Sequence, residues 1–326
     1  MVSRRGFLGL LAAGAVAATR PRYGGTLRVE IREAVESGDP PQIGPGMADL
    51  SSAFNATRWE SGHRAVFTAD ENAKGGRPFL DTVDVQMARP MRDRAIELGR
   101  ADLVELSPGD LRRPASGQEI WSSQPVRLIA LVFAPAVSDE RVREGLALAV
   151  DRAAILNVLL HRQGEIAGAL LPQWISGYAF LFPATADVSR ARTLTRGARP
   201  LTLSAADRTM AERIALNARD AGLTITVLPP GTPADVRLVE QRIVSSDPAI
   251  ALAAIAAGLE LPAPSQAAKP EALYAAERTL LQGFRVVPLF HIPDLYAVGP
   301  RVRGGPGIGP LGEWRFENLW LEGARP

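Results

Sequence analysis

Two stretches of this chain read as strand, helix, strand with short connections, a pattern that forces parallel pairing through a right-handed crossover. In the first, Thr82 to Met87 alternates, with Val83, Val85 and Met87 on one face; a helix is expected from about Met91 to Leu98, stopping at Gly99, and a strand over Leu103 to Leu106. The second begins at Leu201-Thr202-Leu203, where Ser204 and Asp207 form a capping-box pair ahead of a helix. That helix carries Met210, Ile214, Ala218 and Ala221 at helical spacing and ends at Gly222, a left-handed C-cap, before a strand over Leu223 to Leu228. Two such units imply two α/β lobes.

Between the units lies the longest apolar strand candidate, Val126 to Phe133, whose Leu128, Ile129, Leu131 and Val132 read as buried on both faces. A helix is expected from near Ser138, where Asp139 and Glu140 meet the N-terminal dipole favourably. Val142, Leu146, Ala149, Ala153, Leu156 and Leu160 then make one continuous stripe along it. Turn-rich joints fall at Glu36 to Gly46, Leu261 to Pro270 and Gly304 to Gly312.

The N-terminus has the three regions of a cleavable signal over residues 1–18. Ser3-Arg4-Arg5-Gly6-Phe7-Leu8 supplies the paired arginines of the twin-arginine route, a small and apolar run from Gly9 to Ala18 is too short to span a bilayer, and Ala15 and Ala17 suit a peptidase pocket. With no cysteine there is neither a disulfide framework nor a lipid-modified Cys, so a soluble periplasmic product is expected. Loss of Arg4 and Arg5 brings the formal charge of +2 to about zero, and the remaining basic residues are interleaved with acids, which leaves no footprint for nucleic acid.

Signals for chemistry are weak. Gly307-Ile308-Gly309-Pro310-Leu311-Gly312 has the letters of a dinucleotide fingerprint, but Pro310 interrupts it and Glu313 to Leu321 continues as a strand pattern rather than a phosphate-binding helix. His63, His161 and His291 are scattered; His161 with Glu165 reads as a surface pair and His291 as a core or cleft-edge residue, so neither a metal nor a cofactor is expected. No nucleophile elbow is present, and the chain is read as a non-enzyme. Trp174 and Tyr178, with Phe180 and Phe182 just beyond, lie in a Gly- and Pro-containing loop that suits either a ligand cleft or a cap on the second core. Trp314 and Trp320 read as core, and Asp151 with Arg152 as a structural pair.

In family order, Gly24-Gly25-Thr26-Leu27-Arg28-Val29, Gly75-Gly76-Arg77-Pro78-Phe79-Leu80-Asp81, Glu97 to Val104, Arg141-Val142-Arg143-Glu144-Gly145-Leu146 with Ala149-Val150-Asp151-Arg152, and Val287-Pro288-Leu289-Phe290-His291 resemble the motifs of family 5 extracellular solute-binding proteins. The resemblance implies an α/β, periplasmic-binding-protein type II-like fold: two lobes joined by hinge strands, with the family's extra domain largely missing after Glu30. By that layout lobe one is 22–127 plus 296–326 and lobe two is 128–295. It implies a periplasmic monomer that binds a small-molecule solute between its lobes and hands it to the membrane subunits of an ABC importer. Trp174, Tyr178 and Ser246 are the expected ligand contacts, Ser246 because it lies in the loop where the family touches ligand. Peptide-binding members place an Asp three residues before an acid-Pro pair; here the pair is Asp247-Pro248 and the position holds Val244, which cannot pair an ammonium, so a free peptide N-terminus is not the expected ligand. A binding-fold derivative acting as an envelope interaction or sensory module, and an exported hydrolase, are the competing readings.

Overall fold

The computed structural model describes residues 20–32, 35–36, 42–43, 50, 52–60, 62–87, 99–112, 119–178, 181–264 and 269–323. The signal expected at 1–18, the helix expected over Met91 to Leu98, most of the Glu36 to Gly46 joint and Phe180 lie outside the described residues.

In chain order the strands are β1 (Thr26–Ile31), β2 (Val35–Glu36), β3 (Gln42–Ile43), β4 (Phe54–Glu60), β5 (Arg64–Ala69), β6 (Thr82–Met87), β7 (Leu103–Leu106), β8 (Glu119–Phe133), β9 (Glu165–Ile166), β10 (Leu201–Ala205), β11 (Ile225–Leu228), β12 (Val236–Arg242), β13 (Val286–Val298), β14 (Val302–Arg303) and β15 (Trp320–Leu321). The helices are α1 (Glu140–Ala149), α2 (Arg152–Val158), α3 (Gln173–Ser176), α4 (Val188–Leu194), α5 (Arg208–Asp220), α6 (Pro248–Gly258) and α7 (Pro270–Leu281). One mixed sheet runs β11-β10-β12-β8-β13-β7-β1-β6-β5-β4, with β9 joined to β13; β2-β3 and β14-β15 are separate pairs. Both strand-helix-strand readings end in parallel pairing: β10 beside β11, and β6 and β7 on either side of β1.

Two long antiparallel strands, β8 and β13, carry the chain across the middle of the sheet. The second half of β8 pairs with β12 and with Val286 to Ile292 of β13, and its first half with the remainder of β13, which itself pairs with β7. Where the halves meet, Pro125 stands opposite Pro293, and the register shifts on both sides of Pro293. Neither proline has an N–H to give, so the ladder is thinnest at this crossing and can bend there at least cost.

Apolar burial divides along the same line. Leu128, Leu146, Ile214, Leu252 and Phe290 belong to one core cluster; Leu27, Phe54, Val85, Trp121, Tyr296, Trp314 and Phe316 belong to another. Each cluster is fed by strands with all-buried runs, such as Arg127 to Phe133 and the whole of β13. Among the described residues no helix is long and apolar enough to cross a membrane.

Four expectations are corrected. The stripe from Val142 to Leu160 is not one helix: Val150 is extended at φ −71°, ψ 113°, and the Asp151 side chain starts α2 by accepting from Ala154 N. Ile155 is buried in place of Ala153, which is exposed, because the break rotates the second helix. Ser204 does not cap α5; it is part of β10, donating its hydroxyl to Pro229 O, while Asp207 alone accepts from Met210 N. Glu165 faces His291, Oε1 to Nδ1 3.5 Å, rather than His161. Asp151 and Arg152 are structural but separately engaged: Arg152 is 1% exposed and donates to the carbonyls of Ala147, Ala184 and Pro288. Burial without a carboxylate partner pushes its guanidinium down to about 10.

Candidate functional site

Parallel strands deliver their carboxyl ends to one place, the usual location of ligand sites in open α/β sheets. Arg32 follows β1, Ser107 follows β7, and Ala206 with Asp207 follows β10; all border a cavity of about 390 Å³ at the Pro125–Pro293 crossing. Arg32, Ser107, Pro108 and Gly109 form the wall on the side of the first strand unit. On the other side Ile129, Leu160, Met210 and Ile292 form an aliphatic wall, and Asp207 and Glu240 add carboxylates. The walls therefore come from opposite sides of the crossing.

Beneath this cavity a buried ion cluster ties the strands together. Arg127, 7% exposed in its side chain, donates Nε to Asp294 Oδ1 at 2.5 Å, Nη1 to Glu240 Oε1 at 2.6 Å and Nη2 to Glu105 Oε1 at 3.2 Å. Arg242 closes on the same aspartate with Nη1 at 3.1 Å to Oδ1 and Nη2 at 2.7 Å to Oδ2, and also gives Nη2 to Leu311 O at 2.7 Å. The Asp294 amide donates to Ser123 Oγ at 2.9 Å, and the Arg32 amide to Glu105 Oε2 at 2.8 Å. Burial by itself would raise the Asp294 carboxyl, but Arg127 and Arg242 hold it below the usual aspartate value. Glu105 goes the other way, pushed up by burial that Arg127 only partly opposes. Burial opposes the charge on Arg127, yet Asp294, Glu240 and Glu105 raise it well above the ordinary arginine value. The cluster thus fixes five charges where the strands cross, and one of its members, Glu240, also faces the cavity.

Of the ligand contacts expected from sequence, Trp174 and Tyr178 are not among the residues that line this cavity; both sit on the short helix α3 and the residues after it. Trp174 donates Nε1 to the carbonyl of Pro125 at 2.9 Å, so its ring is fastened to β8 itself. The Tyr178 hydroxyl donates to Glu277, and its ring meets Tyr274 edge-on at 5.3 Å between centroids. Glu277 is fully buried and also accepts from the amides of Leu170 and Leu171, so α7 anchors the loop that carries both aromatics. Burial, and then Glu277, raises the Tyr178 hydroxyl; burial raises Glu277 in turn. Ser246 is exposed, one residue before the Asp247 cap of α6, and Val244 is 57% exposed beside it. Phe182 meets Phe284 edge-on in the core.

Arg32, Glu240, Arg127 and Asp294 were not singled out by the sequence reading. A signal for two of them was present: Arg127 and Asp294 interrupt runs that are otherwise apolar, and a charge in a doubly buried strand must be paired. Among the described residues no group of three or more His, Asp or Glu could hold a metal ion.

Solved structures with the same fold are solute-binding proteins. An ABC transporter substrate-binding protein from Listeria monocytogenes superposes with TM-score 0.66 at 17% identity, covering 82% of this chain and 66% of its own. A dipeptide-binding protein from a Pseudoalteromonas species, solved with Met-Leu, gives TM-score 0.67 at 15% identity, covering 83% and 64%. An Agrobacterium protein solved with mannopinic acid gives 0.68 at 16%, covering 83% and 66%. The chain therefore spans about two thirds of the length of these structures. No curated protein sequence matches it. The model of the bacterial extracellular solute-binding proteins, family 5, matches residues 36–262, and the chain belongs to that family.

Proposed function

We propose that this protein is the periplasmic solute-binding component of an ABC importer, exported by the twin-arginine signal in residues 1–18, and that it closes two lobes, 22–127 plus 296–326 and 128–295, over a small solute. The observation that carries the reading is the cavity at the proline crossing, whose two walls come from opposite sides of β8 and β13. At about 390 Å³ it lies at the small end of ligand pockets, suited to a small solute rather than a long peptide. Membership of the two core clusters changes along β8 and β13, which supports the division into lobes. A ligand touching both walls favours the closed form because only there does it meet all its contacts.

Native mass spectrometry of freshly purified protein, followed by X-ray scattering with and without the released molecule, tests this. The loaded protein should be the more compact, and its Tm should rise with ligand concentration by mass action. Superimposable scattering curves at saturating ligand would sink the two-lobe reading.

Trp174, Tyr178 and Ser246 are proposed to touch the ligand or its approach in the closed form. Trp174→Phe removes the one hydrogen bond from the loop to Pro125 and keeps an aromatic ring. Its expected cost in urea unfolding is about 1 kcal/mol. A weaker affinity beyond that cost, read by calorimetry, supports contact or hinge control; unchanged affinity removes Trp174 from the site.

A further inference from the structure

Among the described residues three charged side chains border the cavity, and two are already engaged within the protein. Asp207 accepts from Met210 N at 2.9 Å and faces the amino end of its own helix. Glu240 accepts from Arg127 at 2.6 Å. Arg32 differs: its backbone amide is held by Glu105, but its guanidinium makes no hydrogen bond or ion pair with another described residue. Facing it across the cavity are Ile129, Leu160, Met210 and Ile292, and among the described residues no aromatic ring lines the space.

Resting on the cleft reading above, we infer that the ligand is a small aliphatic carboxylate, its anionic head on the Arg32 guanidinium and its hydrocarbon against Ile129, Met210 and Ile292. A guanidinium matches a carboxylate bidentately, which gives direction as well as strength. An amine of the same shape would be repelled by Arg32 and would have to compete with Arg127 for Glu240. A doubly charged phosphate head would feel Asp207 and Glu240 more strongly than a carboxylate does. The head binds one wall and the tail the other, so the molecule gains its full interaction only when the walls approach. Carboxylate with alkyl chain is therefore the chemistry that couples binding to closure here.

The experiment uses the full mature chain and calorimetry with straight-chain monocarboxylates of roughly four to eight carbons, a size range chosen for a pocket near the small end of the usual scale. Primary amines, methyl esters and alkyl phosphates of equal length serve as comparisons. Carboxylates are expected to bind at least tenfold tighter than each comparison, and Arg32→Gln to lose about tenfold in carboxylate affinity, the order of one charge-assisted hydrogen bond. The unliganded Tm of Arg32→Gln should stay close to the parent's, since its guanidinium makes no hydrogen bond or ion pair with another described residue and its attraction for Glu105 is secondary to that of Arg127. Absence of carboxylate binding, equal binding of amines or esters, or an Arg32→Gln variant that binds carboxylate unchanged overturns the inference. The parent reading fails separately: Ile129→Trp fills the cavity, and if whatever ligand the protein retains still binds to that folded variant, the cavity is not the site at all.

Discussion

Asp294→Ala is expected to lower the unfolding free energy by about 3–5 kcal/mol, the usual result of removing one partner of a buried ion pair. Its side chain is 0% exposed and receives three donated hydrogen bonds from two arginines that have no water to turn to. Alanine leaves Arg127 with Glu105 and Glu240 but leaves Arg242 with only the Leu311 carbonyl. Asp294→Asn keeps the shape and loses the charge, and should fall between parent and alanine. Urea unfolding at neutral pH reads the difference. The same aspartate makes a signed pH prediction. Its folded carboxyl lies below the unfolded value of about 3.9, so its stabilisation is complete above that value and disappears as pH falls through the lower, folded one. The gap between parent and Asp294→Ala should therefore close below about pH 4. Glu105, pushed up by burial and further by the Asp294 charge, acts with the opposite sign, losing stability as pH rises through its range; Asp294→Ala removes part of that push, so Glu105 narrows the gap only toward higher pH and leaves its closure in acid unchanged. A gap that stays constant down to full acid unfolding would mean that Asp294 acts through packing rather than charge.

How far the sequence carried the fold depends on how local each cause is. β6 and β7 begin and end where alternation and the glycine at 99 place them, and Gly222 takes φ +80° after α5 as a left-handed cap should. The break between α1 and α2 was hidden because apolar spacing continues through it. Only the choice of Asp151 as a cap, supported by Asn217 Oδ1 on the Asp151 amide at 3.2 Å, ends the first helix there. The first half of β8 was also missed, since Glu119 to Gln124 is polar and becomes a strand by pairing with β13 and sheltering Trp121. Likewise, the cavity is assembled from ends of strands far apart in sequence, so no window of residues announces it. Trp174 and Tyr178 stood out by ring type, while their polar tips are committed to Pro125 and Glu277, partners that only the folded chain supplies.

Gly164→Ala should cost about 3 kcal/mol or more, because backbone conformation and space fail together. Gly164 has φ +102°, and a Cβ built on it would lie 2.2 Å from His291 O and 3.0 Å from Ile292 Cα. Neither neighbour is a flexible tip; both are backbone of the doubly buried strand β13, so relief requires moving the strand or the turn. Gly62→Ala is the control: φ there is +77° but nothing lies within 4 Å of a new Cβ, so only the left-handed penalty of about 1–2 kcal/mol applies. Position adds a functional consequence. The same displacement pushes on Ile292, which lines the cavity, and on the neighbour of Phe290 and His291 in the β9 pairing. Ligand affinity should drop in Gly164→Ala at temperatures where the variant is still folded, and remain that of the parent in Gly62→Ala. If both variants lose the same stability and neither changes affinity, the close approach of the turn to β13 is not what shapes this wall of the cleft.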